Sequence, residues 1–212
     1  KTIKITRTLC NQWMLIANKQ KKQIFIGRSE DDYLGVGAII GGSENHLLFI
    51  NYREKNIDVF NLKTLQYMNK VILPIGSVMK YHCFIAKTEH DVTITDTNQR
   101  IWEMLLFSQN TGLSIEYDED SNTFRFRNVR VCTSIKQCYS YGCVYVNHLL
   151  LFFGGEGTNG KASDRVYKYS FLDKQWMNFE QTLPISLNEC TAILNEDHTF
   201  VHILGGYDGN TT

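Results

Sequence analysis

Four groups of residues in this chain could do chemistry, and each can be judged by the spacing that its chemistry needs. Gly155, Gly160 and Lys161 give G-x-x-x-x-G-K, the spacing of a loop that cradles phosphates with backbone N–H groups. The next residue is Ala162, where the magnesium-binding hydroxyl belongs, and residues 164–170 read as a strand, whereas the phosphate needs a helix amino terminus. Asp118, Asp120 and Asn122 open like a calcium loop, D-x-D-x-N. Thr123 stands where that loop needs glycine and Val129 where it needs a bidentate glutamate, so a turn between two strands explains them better. His198 and His202 are four residues apart, a spacing that joins two metal ligands on a helix but separates them along a strand.

The fourth group is the cysteines, Cys10, Cys83, Cys132, Cys138, Cys143 and Cys190. Their closest spacing is C-x4-C, without the paired knuckles of a zinc ribbon or the density of a disulfide scaffold. They are expected to be reduced and mostly buried thiols in a cytoplasmic protein. There is no G-x-S-x-G nucleophile elbow. The sequence therefore predicts no catalytic residue, no metal site and no cofactor.

Composition narrows the partners. The 212 residues carry 22 basic and 22 acidic side chains, so neither a nucleic-acid surface nor an acidic tail is expected. The longest apolar run, residues 149–153, fits a strand and is far short of a membrane span, so no membrane partner is expected. With 12% aromatic residues and two prolines the chain should fold around a real core.

The elements that would position any site are strands. Short runs of β-branched and aromatic residues alternate with turn formers, and no window holds a sustained 3.6-residue apolar stripe. The runs repeat. Phe60 and Tyr67, Tyr117 and Phe124, and Tyr169 and Trp176 are each seven residues apart, and the second members, with Trp13 before them, recur roughly every 50 residues, a repeat signature. In the unit around Tyr169, four strands are expected at 139–145, 149–153, 165–170 and 175–179. Four-stranded sheets of this size bury both faces only by packing on one another around an axis, which predicts a β-propeller.

The stretch from Leu149 to Trp176 resembles the kelch repeat: an apolar strand ending in Gly154-Gly155, a loop, Tyr169, six intervening residues and Trp176. Gly205-Gly206 opens another unit. Earlier units resemble it less closely, with Asn51-Tyr52 and Ser108-Gln109 in place of the glycine pair and Tyr67 and Phe124 in place of tryptophan; Gly41-Gly42 precedes its apolar run and reads as a hairpin pair. The resemblance implies an all-β, kelch-type β-propeller with about four blades' worth of four-stranded antiparallel sheets, as part of a larger propeller. The segments expected are 1–17 (the end of a blade, with strands at 3–5 and 13–16), three blades at 34–74, 77–131 and 138–184, and the start of another at 188–212. Because both ends fall inside a blade, a fragment of a longer chain is expected.

The resemblance also implies a function: a non-catalytic module that binds a protein or peptide through loops on one propeller face. The loop residues expected there are Arg28, Asp31, Asp32, Arg53, Lys55, Glu156, Lys161 and Asp164, mixed in charge and interspersed with tyrosine, as protein recognition favours. Gly154, Gly155, Tyr169, Trp176, Gly205 and Gly206 are expected to be structural. Two alternatives follow from the same likeness, a copper-radical oxidase-like enzyme and an actin-associated scaffold; the ligands of the former have no match in this sequence.

Overall fold

The structure, a computed structural model, describes residues 16–76, 79, 81–86 and 100–209. The strand expected at 3–5 and all but Ile16 of that expected at 13–16 lie outside these residues, and Ile16 itself is in no strand. The chain divides into two compact units, Lys1–Asp31 and Asp32–Thr212. In the first, the chain reverses at Asn18, whose Oδ1 accepts from the N–H groups of Gln20 and Lys22, and Ala17 bridges Gln23.

The second unit is all β among the described residues, apart from a 3₁₀ turn at Ile135–Gln137. Three four-stranded antiparallel sheets follow one another, each an up-and-down meander. The first comprises β1 (Gly37–Gly41), β2 (Leu47–Tyr52), β3 (Asn56–Asn61) and β4 (Gln66–Ile72). The second comprises β5 (Cys83–Ala86), β6 (Ile101–Ser108), β7 (Thr111–Asp118) and β8 (Thr123–Asn128). After the two-residue β9 (Cys138–Tyr139) come β10 (Gly142–Val146) and β11 (Leu149–Phe153), then β12 (Glu156–Gly157), which pairs with β9. β13 (Val166–Ser170) and β14 (Gln175–Asn178) complete the third sheet, and β15 (Asn188–Leu194) pairs with β16 (Val201–Tyr207) in a two-stranded one. No described helix is long and apolar enough to cross a membrane.

The seven-residue aromatic spacing is the geometry of one hairpin. Phe60, Tyr117 and Tyr169 on the third strands lie directly opposite Tyr67, Phe124 and Trp176 on the fourth, with ring centroids 5.1, 4.9 and 5.1 Å apart. Two residues before the second aromatic, Leu65, Asn122 and Lys174 take φ of 59°, 55° and 54°, the left-handed step that closes each turn.

A second repeated step lies at the start of every first strand, just before β1, β5 and β10 and at the second residue of β15. Gly35, Tyr81, Ser140 and Glu189 have φ of 66°, 46°, 56° and 54°, and the residues two further on, Gly37, Cys83, Gly142 and Thr191, pair with Asn51, Phe107, Phe153 and Leu204. This register sets Tyr52-Arg53 and Ser108-Gln109 where the later units carry Gly154-Gly155 and Gly205-Gly206. The expected correspondence at Asn51-Tyr52 is one residue out, because β2 runs six residues where β11 runs five. The left-handed Ser140 also explains why the strand expected at 139–145 is split, with β9 ending at Tyr139 and β10 starting at Gly142.

Side chains alternate across β6, as a strand buried on both faces requires. Met104 and Leu106 join Phe49, Ile57 and Val59 of the first sheet, while Leu105 and Phe107 join Leu150, Phe152 and Tyr169 of the third. Beyond them Val144, Phe153 and Val166 pack against Ala192, Val201 and Ile203. The sheets thus pack face to face in chain order, with β1 beside β5, β5 beside β10 and β10 beside β15.

Candidate functional site

In an antiparallel meander the start of the first strand, the end of the second and the turn into the third share one end of the sheet. At that end the beginnings of β1, β5, β10 and β15 enclose a cleft of about 420 Å³. Its lining comes from residues 35–38, 81, 82, 84, 141–143 and 189–192, so all four left-handed steps lie at or beside it. Tyr81, Phe84 and Tyr141 supply aromatic surface, and Glu189 is the one carboxylate among its lining residues.

His82 is half-buried in the wall between β1 and β5, with its Nδ1 shielded from solvent. Its Nε2–H donates to Asn51 Oδ1 at the end of β2. Gly37 makes that contact possible: a Cβ there would stand 2.5 Å from Asn51 Oδ1 and 2.9 Å from His82 Nε2. Burial pushes the imidazole pKa down from 6.5 to about 4. Above 6.5 the ring is neutral whether the chain is folded or not; below it the unfolded chain gains a proton that the folded one refuses until about 4. Stability from this group is therefore complete above 6.5 and falls by about 3 kcal/mol as pH drops to about 4. Urea unfolding across this window should show the loss, and His82→Gln should flatten it; an unchanged slope in the variant would assign the acid lability to another group.

The loop residues expected from the sequence are all described. Arg28 and Asp31 belong to the first unit and pair with each other at 3.2 Å. In the second unit Asp32 and Arg53 come together, Nη1 to Oδ2 at 2.6 Å, and the Leu34 N–H and then Arg53 hold the Asp32 carboxyl below its usual range. Lys55 Nζ donates to Gly76 O at 3.1 Å, so Arg53 and Lys55 tie the β2–β3 turn to the chain at Asp32 and at Gly76.

Glu156, Lys161 and Asp164 share the longer β11–β13 connection, which folds into a small hairpin through the β12–β9 pairing and an Glu156–Ala162 bridge. The Glu156 carboxylate accepts from the Tyr139 hydroxyl and, at 3.4 Å, from Asn188 Nδ2; the first of these bonds raises the Tyr139 pKa. Lys161 is exposed, while the Asp164 carbonyl accepts the Leu183 N–H at 2.8 Å.

The glycine pairs adopt matching conformations, φ 67° and 101° at Gly154 and Gly155 and φ 67° and 102° at Gly205 and Gly206. They differ at the first glycine, where a Cβ on Gly154 would meet the Leu187 carbonyl and one on Gly205 nothing within 4 Å; the Gly155 N–H reaches Leu187 O at 2.7 Å. Tyr169 and Trp176 are core residues of the seam between the second and third sheets.

Sequence reasoning missed the cleft itself. Tyr81, Ser140 and Glu189 are left-handed without being glycine, and nothing in their residue types announces it. Of the rejected motifs, residues 119–122 form the β7–β8 turn, where Asp118 Oδ1 accepts from the N–H groups of Asp120 and Ser121. The chain leaving Gly160-Lys161 enters β13 and no helix follows. Among the described residues no group of three or more His, Cys, Asp or Glu side chains is arranged to hold a metal ion.

No family model and no curated protein matches this chain. Among solved structures, the one described as "Structure of YjhT" is similar over 51% of this chain, at 12% identity and a TM-score of 0.43. The match spans 32% of that protein's length.

Proposed function

We propose that the second unit is part of a kelch-type β-propeller and that it is a non-catalytic interaction module, binding a protein or peptide at the end where the cleft opens. The observation that carries this reading is the convergence of four first-strand starts on one cleft, at the same end of the sheets as the 53–55, 109–110 and 154–165 connections. The strands hold the fold, so these connections are free to carry recognition chemistry. The rim mixes Arg53, Lys161 and Asp164 with the exposed Glu189, a pattern suited to a partner of mixed charge.

The test is crosslinked capture with purified protein as bait, the captured proteins being identified by mass spectrometry. The double charge reversal Lys161→Glu with Asp164→Lys should weaken capture of a specific partner about tenfold or more, the size of one lost charge contact. Lys63→Glu, in the β3–β4 turn at the opposite end, should leave it intact. Equal capture by both variants, or no partner with the wild type, rejects this face.

A further inference from the structure

Five cysteines are described, all of them free thiols, and they crowd one seam. Cys83, Cys132, Cys138 and Cys143 belong to the core between the second and third sheets, and Cys190 Sγ lies 2.9 Å from where a Cβ on Gly142 would stand. Two of them meet across the seam. Cys83 starts β5 and Cys143 is the second residue of β10, the strand beside it. Along β10, Val144 faces β15 and β16 while Cys143 and Tyr145 face the second sheet, which turns the Cys143 sulfur toward Cys83. Both side chains belong to the one cluster packed between the second and third sheets.

Their surroundings differ in a way that orders a reaction. Cys83 is fully buried, whereas Cys143 is half-buried and lines the cleft, open to a small solute. Of the other described thiols, Cys190 donates to Phe153 O at 3.7 Å and Cys138 to Ser134 O at 4.0 Å.

We propose that Cys83 and Cys143 form a peroxide-oxidisable pair, with Cys143 the sulfur attacked from the cleft and Cys83 the resolving thiol behind it. Hydrogen peroxide gives one oxygen to the Cys143 sulfur; its O–O bond breaks and water leaves, so Cys143 becomes a sulfenic acid. The Cys83 sulfur then attacks the Cys143 sulfur. The S–S bond forms, the S–O bond breaks, and the departing hydroxyl takes the Cys83 proton to make a second water. Two thiols have lost two electrons and two protons, and peroxide has accepted both. Burial holds the Cys83 thiol well above its usual pKa, which keeps it from reacting first. The product is a covalent tie between the second and third sheets at the wall of the cleft. The inference is independent of any partner, since the chemistry needs only the thiols and peroxide.

The experiment uses the wild-type protein under native conditions. It is titrated with hydrogen peroxide, its remaining thiols are alkylated, and it is digested without reduction by chymotrypsin, which can cut after Tyr139 and Tyr141 and so separate Cys138 from Cys143. Mass spectrometry should find the Cys83 and Cys143 peptides joined, at least about tenfold above the untreated protein and lost on adding dithiothreitol. Dimedone should trap a sulfenic acid on Cys143 in Cys83→Ser, and none on Cys83 in Cys143→Ser. If Cys83→Ser does not fold, the wild-type digest still decides. A Cys143–Cys190 or Cys132–Cys138 link as the main product overturns the proposal, as does Cys143 advancing to sulfinic acid while Cys83 stays free.

Discussion

Gly154→Ala is expected to lower the unfolding free energy by about 4 kcal/mol, and Gly205→Ala by only about 1 kcal/mol. The two glycines share φ of 67°, so both variants force an L side chain into the left-handed region at the same backbone cost. Their surroundings separate them. A Cβ on Gly154 would land on the Leu187 carbonyl oxygen, with the carbonyl carbon at 3.1 Å and Ser163 O at 3.2 Å, all of it backbone that cannot rotate away. A Cβ on Gly205 would meet nothing within 4 Å. The same crowding threatens the Gly155 N–H bond to Leu187 O and the Ser163–Leu187 bridge that ties the β11–β13 connection to the chain entering β15. Urea unfolding of both variants beside the wild type, compared at unchanged m-value, measures the difference. Equal losses would mean that backbone conformation alone sets the need for glycine, and that the close approach at Leu187 is softer than described.

That contrast also marks how far residue types alone reach. The third-to-fourth-strand hairpins are legible because their spacing is local: an aromatic, a left-handed turn residue and a second aromatic fall within eight residues of chain, and cross-strand pairing must bring the rings together. The all-β class is legible for the same reason, since runs of β-branched and aromatic residues too short for helices and broken by turn formers are a short-range pattern. The one-residue error at Asn51-Tyr52 arose where the pattern stopped being local. Strand length there is fixed by which residue of β1 pairs with which of β2, and an apolar run does not encode that register.

The cleft was hidden for a further reason. Its walls come from four segments far apart in the chain, and three of its four special backbone steps fall on Tyr81, Ser140 and Glu189, residue types that do not favour the left-handed region. His82 and Cys143 were visible only as a histidine and a thiol; their partners, Asn51 and Cys83, lie on neighbouring sheets. By contrast, Arg53, Lys55 and Glu156 were legible as loop charges, but their bonds to Asp32, Gly76 and Tyr139 were not, and those bonds tie each loop to another segment of the chain.

Trp176→Ala should cost about 3 to 4 kcal/mol, and Trp176→Phe about 1 kcal/mol. The indole sits against Phe107, Phe152 and Tyr169, with centroid separations of 5.4, 5.1 and 5.1 Å, so it packs on the second sheet and the third at once. Truncation to alanine leaves a gap at that seam which the surrounding β-sheet backbone can close only in part. The indole N–H also donates to Arg130 O at 2.7 Å, pinning the connection from β8 toward β9 against β14. Phenylalanine keeps most of the ring contact and gives up only this bond, so the two variants divide packing from hydrogen bonding. Thermal and urea unfolding of both would read the division. If phenylalanine cost as much as alanine, the seam would depend on the Arg130 bond more than on the aromatic stack. The repeated seven-residue spacing would then serve chiefly to place a donor, and in the other two sheets, where Tyr67 and Phe124 stand in its place, it would have to be held by something else.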